Sequence, residues 1–151
     1  MNEITIRNAN LNDLNTIVDF NYLLAIETEG KKLDKNILTE GVKNLLIDNN
    51  KGFYLIAEMN NQPVGQLMIT YEWSDWRNAL FWWIQSVYVV PEVRKSGVFR
   101  VLFDYVKNLA SNRKNVCGLR LYTDQHNLNA MEVYTKLGMH KSNYLMFELE
   151  L

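Results

Sequence analysis

The sequence predicts one α/β domain built on a mixed sheet with helices on both faces. Three observations point there. Stretches of strand-like alternation or continuous apolar character interleave with stretches of helical spacing, in the order β-α-α-β-β-β-α-β-α-β. The chain has 151 residues, 48% of them hydrophobic and 22% charged, which suits a single core spanning residues 1–151. It has only two prolines, Pro63 and Pro91, and no repeat or low-complexity linker to mark a boundary between domains.

The elements follow in order. "ITIRNA" alternates apolar and polar and reads as a first strand. Asn10 is placed to cap the next helix, with Asp13 three residues on in the manner of a capping box. Leu11, Leu14, Ile17, Val18 and Leu24 then fall near helical spacing, and Gly30 is placed to stop that helix. A second helix follows Asp34, with Ile37, Leu38, Val42, Leu45 and Leu46 on one face. "GFYLIAEMNNQPVGQLMITYEW" reads as a hairpin turning around Asn60–Asn61–Gln62. "LFWWIQSVYVV" is the most apolar strand, expected at the centre of the sheet and ended by Pro91. From Val98 to Leu109 the apolar residues recur at spacings of three and one, which marks an amphipathic helix. "VCGLRLYT" is a further strand. "NLNAMEVYTKLG" is a short helix with Ala130, Val133, Tyr134 and Leu137 inward and Gly138 as its stop. "HKSNYLMFELEL" closes the chain as one or two strands.

Composition excludes several classes. A net charge of -1 gives no global reason to expect nucleic acid or a membrane surface as partner. The longest apolar run is broken by Gln85 and Glu92, short of a membrane span. The N-terminus, "MNEITIRNANLND", is acidic and polar where a secretory signal is basic and then apolar. One cysteine, Cys117, leaves no internal disulfide and no multi-cysteine zinc site, and two histidines, His126 and His140, argue against a His-rich metal site. The expectation is a cytoplasmic protein without a metal.

"VRKSGVFR", residues Val93 to Arg100, lies where a strand gives way to a helix. A helix starting near Gly97 directs its free N–H groups and positive dipole end back at the turn, where Arg94 and Lys95 add full charges. Alone, such a turn is equally an anion nest or a solvated junction.

The neighbouring residues carry a resemblance. "VYVVPEVRKSGVFRVLF" resembles the acetyl-CoA-binding segment of the GNAT superfamily of N-acetyltransferases: an apolar strand ending in Val-x-Pro-x-x-Arg, then a basic-x-x-Gly turn, then an amphipathic helix. Arg94 and Gly97 match. Phe99 stands where the family usually carries glycine or alanine, which implies a ring turned away or a reshaped loop. "NLNAMEVYTKLGM" is similar to the family's second motif, with Asn127, Ala130, Tyr134 and Gly138 in register and Met139 in place of an aromatic. These motifs cover roughly the last two-fifths of the chain; the first half matches in layout. The resemblance implies a GNAT-type, mostly antiparallel central sheet.

It also implies a chemistry. The cofactor, acetyl-CoA, would enter between "IQSVYVV" and "GLRLYT" where these parallel strands splay. Val87, Tyr88 and Val89 would run beside its pantetheine arm, with main-chain bonds from Val87 and Val89. Arg94, Lys95, Ser96, Gly97, Val98 and Phe99 would hold its pyrophosphate, and Asn127 would bond it near the arm. A neutral amine acceptor would attack the thioester, a backbone N–H near Val87 would receive the oxyanion, and Tyr134 would protonate the leaving thiolate, its ordinary pKa of about 10 lying above a thiol's 8.5 or so. Where many relatives carry a glutamate base, this chain has Gln85, which is no base. Glu27, Glu29 and Glu72 are the carboxylates expected to face the acceptor, with Trp82 or Trp83 lining its cleft; each is equally a surface acid or a core aromatic.

Two readings compete with this enzyme. One is a GNAT-fold module that binds acyl-CoA as a sensor or regulator with little catalysis, which Gln85 and Phe99 keep open. The other is a nucleotide binder, against which the chain has neither a Walker loop nor Gly-x-Gly-x-x-Gly. Pairing into a homodimer is common among GNAT relatives and is left open.

Overall fold

The computed structural model describes residues 3–151; Met1 and Asn2, the start of the polar N-terminus read above, lie outside them. The chain divides into two compact units, one ending at Leu121 and the other running Tyr122–Leu151.

The first unit holds a five-stranded sheet in the order β1 (Ile4–Asn8), β2 (Gly52–Met59), β3 (Gln62–Ser74), β4 (Ala79–Val89), β5 (Val116–Arg120). Strands β1 to β4 pair antiparallel and β5 runs parallel to β4, the mixed, mostly antiparallel sheet expected. β4 is interior but not central; β3 holds the middle place. Apolar character alone does not separate the two, because both carry buried residues along much of their length, and all but two residues of β3 and every residue of β4 are at least half-buried. The β2–β3 turn is made by Asn60 and Asn61 at φ 51 and 60, left-handed values that asparagine tolerates, and Gln62 already belongs to β3.

Three helices accompany the sheet: α1 (Leu14–Glu29), α2 (Lys35–Ile47) and α3 (Val98–Ser111). The capping box of Asn10 and Asp13 forms, but it opens a single 3-10 turn over Leu11–Asp13 ahead of α1, which leaves Leu11 outside the packed stripe and exposed. Gly30 ends α1 in the left-handed conformation, and the Asp34 carboxylate accepts the Asn36 and Ile37 N–H groups to start α2. In α2, Val42 and Leu45 are buried while Ile37 points to solvent.

The pleat sorts the core. Tyr54 and Ile56 of β2 pack with Ile17 and Val18 of α1 and Val42 and Leu45 of α2. Residues of the other parity, Leu55, Leu67 and Ile69, are fully buried on the opposite face. There α3 approaches so closely that a Cβ on Gly65 would stand 3.1 Å from Val98 Cγ1. β1 is tied to the start of α1 by Arg7. Its guanidinium donates to both Asp13 oxygens at 2.8 Å and to Glu58 Oε1 at 2.8 Å, and Asp13 also accepts the Asn10 N–H.

The second unit contains α4 (Leu128–Lys136), capped by the Asn127 side chain on the Ala130 N–H and followed by Gly138 at φ 92. Taken by itself, this unit leaves Ala130, Tyr134 and Leu137 of the face expected to turn inward half-buried and Val133 exposed. "HKSNYLMFELEL", expected as one or two strands, forms no strand within the unit. β5 of the first unit runs Val116–Arg120, so Tyr122 and Thr123 of "VCGLRLYT" fall in the second unit.

The Arg7 hydrogen bonds hold the Asp13 carboxyl below the usual range against the upward push of burial, with the Asn10 N–H assisting. A carboxyl with a depressed native pKa adds stability above its unfolded pKa and loses it as pH falls through the native value. Asp13→Asn is expected to cost about 2 kcal/mol at neutral pH and to flatten the acid limb of stability below about pH 4. Urea unfolding at several pH values measures both.

Candidate active site

β5 leaves β4 early. Their pairing runs from Leu80 opposite Val116 to Trp83 opposite Arg120, while β4 continues to Val89. From Ile84 to Val89 no described strand covers that side of β4.

Within this uncovered stretch β4 carries one extra residue. Gln85 pairs with Met68 and Tyr88 with Gln66, so three steps on β4 match two on β3, and Ser86 takes a left-handed φ of 51. Gln66 holds the irregularity. It is fully buried, and its Nε2 donates to the Ser86 carbonyl at 3.1 Å and to Asn21 Oδ1 at 3.0 Å; Asn21 Nδ2 donates on to Tyr54 Oη at 3.1 Å. Burial raises the Tyr54 phenol pKa despite hydrogen bonds with Asn21 and Ser86, so the network stays neutral. Two consequences follow. A trans peptide points its C=O and the next N–H in opposite directions, so drawing the Ser86 carbonyl to Gln66 turns the Val87 N–H away from Gln66. The extra residue also shifts side-chain parity, so Gln85 and Tyr88 share the face toward α1 although three residues apart. Tyr88 packs there on Phe20, ring centroids 5.0 Å apart.

The segment after β4 makes the turn into α3. Pro91–Val93 is a 3-10 turn, followed by Lys95 at φ 66 and Gly97 at φ 91. A Cβ at Gly97 would meet nothing within 4 Å, so it is the left-handed backbone, not lack of room, that calls for glycine. The N–H groups of Arg94 and Ser96 are taken by the carbonyls of Pro91 and Val93. The first internal bond of α3 runs from the Val101 N–H to the Gly97 carbonyl, so Val98, Phe99 and Arg100 are its leading donors. These donors lie later in the chain than "RKSG", toward the helix. Val98 is buried, the Ser96 hydroxyl donates to the Val93 carbonyl at 2.6 Å, and the Phe99 ring lies along α3 against Phe103.

Arg94 is already engaged. Its Nε donates to the Val89 carbonyl at 2.9 Å, its guanidinium stands 5.5 Å from the Tyr88 ring centre, and Nη2 meets Glu27 Oε2 at 2.7 Å. Val89, Tyr88, Arg94 and Glu27 are thus brought together. Glu29 does not join them and pairs with Lys31 at 3.5 Å. Glu72 accepts from Trp83 Nε1 at 2.9 Å and Arg120 Nη1 at 2.8 Å. Partial burial raises the Glu72 pKa, but these two donors with the charges of Arg120 and Arg77 outweigh it and leave the carboxyl below the usual range. Gln85 donates to Thr70 Oγ1 at 2.7 Å. Trp82 is a core residue, packed edge-on against Phe53 at 5.3 Å, so of the neighbouring pair Trp83 has the solvent access.

In the second unit, the Asn127 oxygen is used as the cap of α4. Tyr134 is half-buried, and burial pushes its hydroxyl above the ordinary phenol range, so it stays protonated at neutral pH. Sequence reasoning missed the Gln66–Asn21–Tyr54 network. Its one signal was a lone glutamine inside the apolar run "VGQLMI" at a parity destined for the core.

Among the described residues no helix is long and apolar enough to cross a membrane, and no three His, Cys, Asp or Glu side chains gather into a metal cluster. No curated protein matches the chain. Solved structures do. A possible acetyltransferase from Clostridium difficile is 51% identical, with a TM-score of 0.93 over 98% of this chain and 97% of that one. A predicted acetyltransferase with acetyl-CoA from Clostridium acetobutylicum is 24% identical, with a TM-score of 0.78 over 98% and 96%. An aminoglycoside acetyltransferase from an uncultured soil sample, in complex with sisomicin, is 17% identical, with a TM-score of 0.79 over 98% and 96%. The last two likenesses show the fold alone. The family model for the GNAT acetyltransferases matches residues 17–139, and with the half-identical relative over nearly the whole of both chains this places the protein in the GNAT acetyltransferase family, whose cosubstrate is acetyl-CoA.

Proposed function

We propose that the protein is an N-acetyltransferase that passes the acetyl group of acetyl-CoA directly to a primary amine of a small molecule or a protein. The observation that carries this reading is the bulge at Ser86 on the stretch of β4 that β5 leaves uncovered, where Gln66 holds the Ser86 carbonyl and the next N–H, of Val87, faces away from it. A donor fixed by a buried network needs no reorganisation as negative charge develops on a thioester oxygen.

The remaining parts take roles around it. Val87 and Val89 lie along the pantetheine arm. The leading N–H groups of α3, with Arg94, receive the pyrophosphate, and Lys95 adds charge. Asn127 keeps its amide N–H groups for the cofactor while its oxygen caps α4. The amine nitrogen attacks the carbonyl carbon, a C–N bond forms and the oxygen takes the negative charge. Collapse breaks the C–S bond, and Tyr134 gives its proton to the thiolate. The proton released by the acetylated nitrogen passes to water and then restores Tyr134. The acceptor approaches the α1 face beside Gln85 and Trp83, where Glu72 offers negative charge to a cation. Glu72 is tied by two donors and held ionised by them, which makes it an attractor of cations and a weak base. The reaction therefore draws on the neutral fraction of the amine, with proximity supplying much of the rate.

Calorimetric titration with acetyl-CoA, beside ATP and NAD, is expected to show binding of acetyl-CoA alone. Gly97→Asp adds a charge and a strained left-handed residue at the mouth of α3, and is expected to weaken that binding at least about tenfold. Glu27→Gln frees Arg94 from a competing carboxylate and is expected to tighten it about two- to fivefold. Unchanged affinity in both variants removes the pyrophosphate assignment.

Tyr134→Phe is expected to lower turnover about 100-fold with acetyl-CoA affinity kept, read by release of free thiol with an amine panel. In the unaltered protein the rate is expected to climb with pH as the amine loses its proton, with no fall near the ordinary phenol pKa because that of Tyr134 is raised. Full turnover without the hydroxyl assigns the proton to water instead.

A further inference from the structure

We propose, resting on the acetyltransferase reading above, that the acceptor is a free diamino acid: its charged α-amino-acid head is held by Glu72, Arg120 and Arg77, and the primary amine at the end of its side chain is acetylated. The anchoring residues all belong to the first unit. Phe81 pairs with Glu72, Trp83 with Thr70 and Gln85 with Met68, so Phe81, Trp83 and Gln85 alternate onto one face of β4. Arg120 of β5 is level with Trp83 and joins that face, where its Nη1 donates to Glu72 Oε1 at 2.8 Å.

The cluster is held in place and leaves bonding capacity unused. The Arg120 guanidinium lies 3.6 Å from the centre of the buried Phe81 ring, and that of Arg77 lies 4.9 Å from the same centre. Gly118 of β5 gives the ring its room, since a Cβ there would stand 2.9 Å from Phe81 Cε1. The bond to Glu72 uses Nη1 of Arg120. That leaves the Nε–Nη2 edge, whose parallel donors suit a carboxylate. Glu72 in turn accepts both Trp83 Nε1 and Arg120 Nη1 on a single oxygen, Oε1, which leaves Oε2 for an ammonium. The two side chains are 42% and 32% exposed, so a ligand can reach these edges. Two guanidiniums against one carboxylate give the cluster a net positive charge, which favours a head that brings a carboxylate as well as an ammonium. In an α-amino acid those groups sit on one carbon, which suits anchors already in contact with each other.

Spacing selects the far end. Val87 lies four residues beyond Trp83, one of them the extra residue of the bulge, so its N–H is roughly 10 Å along β4 from the head site. An α-amine held at Glu72 does not span that distance. An amine carried on several methylenes does: its nitrogen forms the amide bond, the cofactor leaves as the free thiol, and the amine's proton goes to water as above.

The test gives the full chain acetyl-CoA and amines that differ by one charge. Lysine has both head charges, cadaverine lacks the carboxylate, ε-aminocaproate lacks the α-ammonium, and pentylamine lacks both. Lysine blocked as its Nα-acetyl amide stands for a protein side chain. From thiol release, kcat/KM is expected to be highest for lysine and at least about tenfold lower for each of the others. Arg120→Gln is expected to lower kcat/KM about tenfold for lysine and ε-aminocaproate and to raise it for cadaverine, whose ammonium then meets an unpaired Glu72. Glu72→Gln is expected to lower it for lysine and cadaverine and to raise it for ε-aminocaproate. A variant that merely folds poorly lowers all of them alike and cannot produce this crossing. Pentylamine or blocked lysine used as well as lysine, or variants that shift every amine equally, would overturn the proposal. Calorimetry of lysine on the protein saturated with CoA separates it from the reading on which it rests. Lysine bound through Arg120 but never acetylated keeps the head site and removes the transferase; transfer to other amines without lysine binding removes the head site and keeps the transferase.

Discussion

The arrangement of the site depends on one hydrogen bond, from Nε2 of the fully buried Gln66 to the carbonyl of Ser86. A serine held at φ 51 costs on the order of 1–3 kcal/mol, and it persists only where its surroundings over-determine it. Here they do. Gln66 has no access to water, and its amide group has just two acceptors at hand, Asn21 Oδ1 and the Ser86 carbonyl. Relaxing the bulge would strand one of its N–H groups in the core, at a cost of the same order as the strain. The Gln66 oxygen already sits buried without a hydrogen-bond partner, so the network has no slack with which to absorb a further loss. The extra residue in β4, the turned Val87 peptide and the shared facing of Gln85 and Tyr88 all descend from this contact.

A second constraint is electrostatic and less rigid. Arg94 spans the end of β4, the face of Tyr88 and the carboxylate of Glu27, each at modest exposure. A salt bridge in such a setting contributes little stability, about 0–1 kcal/mol, so in the proposed role of Arg94 a more highly charged anion would displace Glu27. The bond to the Val89 carbonyl uses Nε while Glu27 meets Nη2, so the two contacts are made by different N–H groups of the guanidinium. α3 completes the electrostatics without further side chains, because its leading N–H groups and dipole end are fixed by the fold.

How much of this was readable in advance depended on the range of the forces. Local signals carried over well: Asn10 and Asp13 capping, Gly30 and Gly138 as stops, the start of α2 after Asp34, and Pro91 ending β4 each rest on contacts within a few residues. The early parting of β4 and β5 was legible through the resemblance, not through any residue pattern of its own. The bulge at Ser86 was not legible, because its cause lies on another strand and a helix, at Gln66 and Asn21. Trp82 and Trp83 show the same limit: alternation places them on opposite faces, but only the packing of Phe53 decides which is core. Glu27 and Arg94 are 67 residues apart, and nothing in either neighbourhood announces their pairing.

Strands and helices differ in how far their own residues decide them. Helices satisfy their backbone groups internally, so α3 forms where its periodicity says; a strand depends on a partner that the sequence does not name. The sheet itself shows what such dependence requires. β1, only five residues long, is held by a full ladder to β2 and by the Arg7 ion pairs at its margin. β5, equally short, owes its place to the parallel ladder with β4, from Leu80 opposite Val116 to Trp83 opposite Arg120.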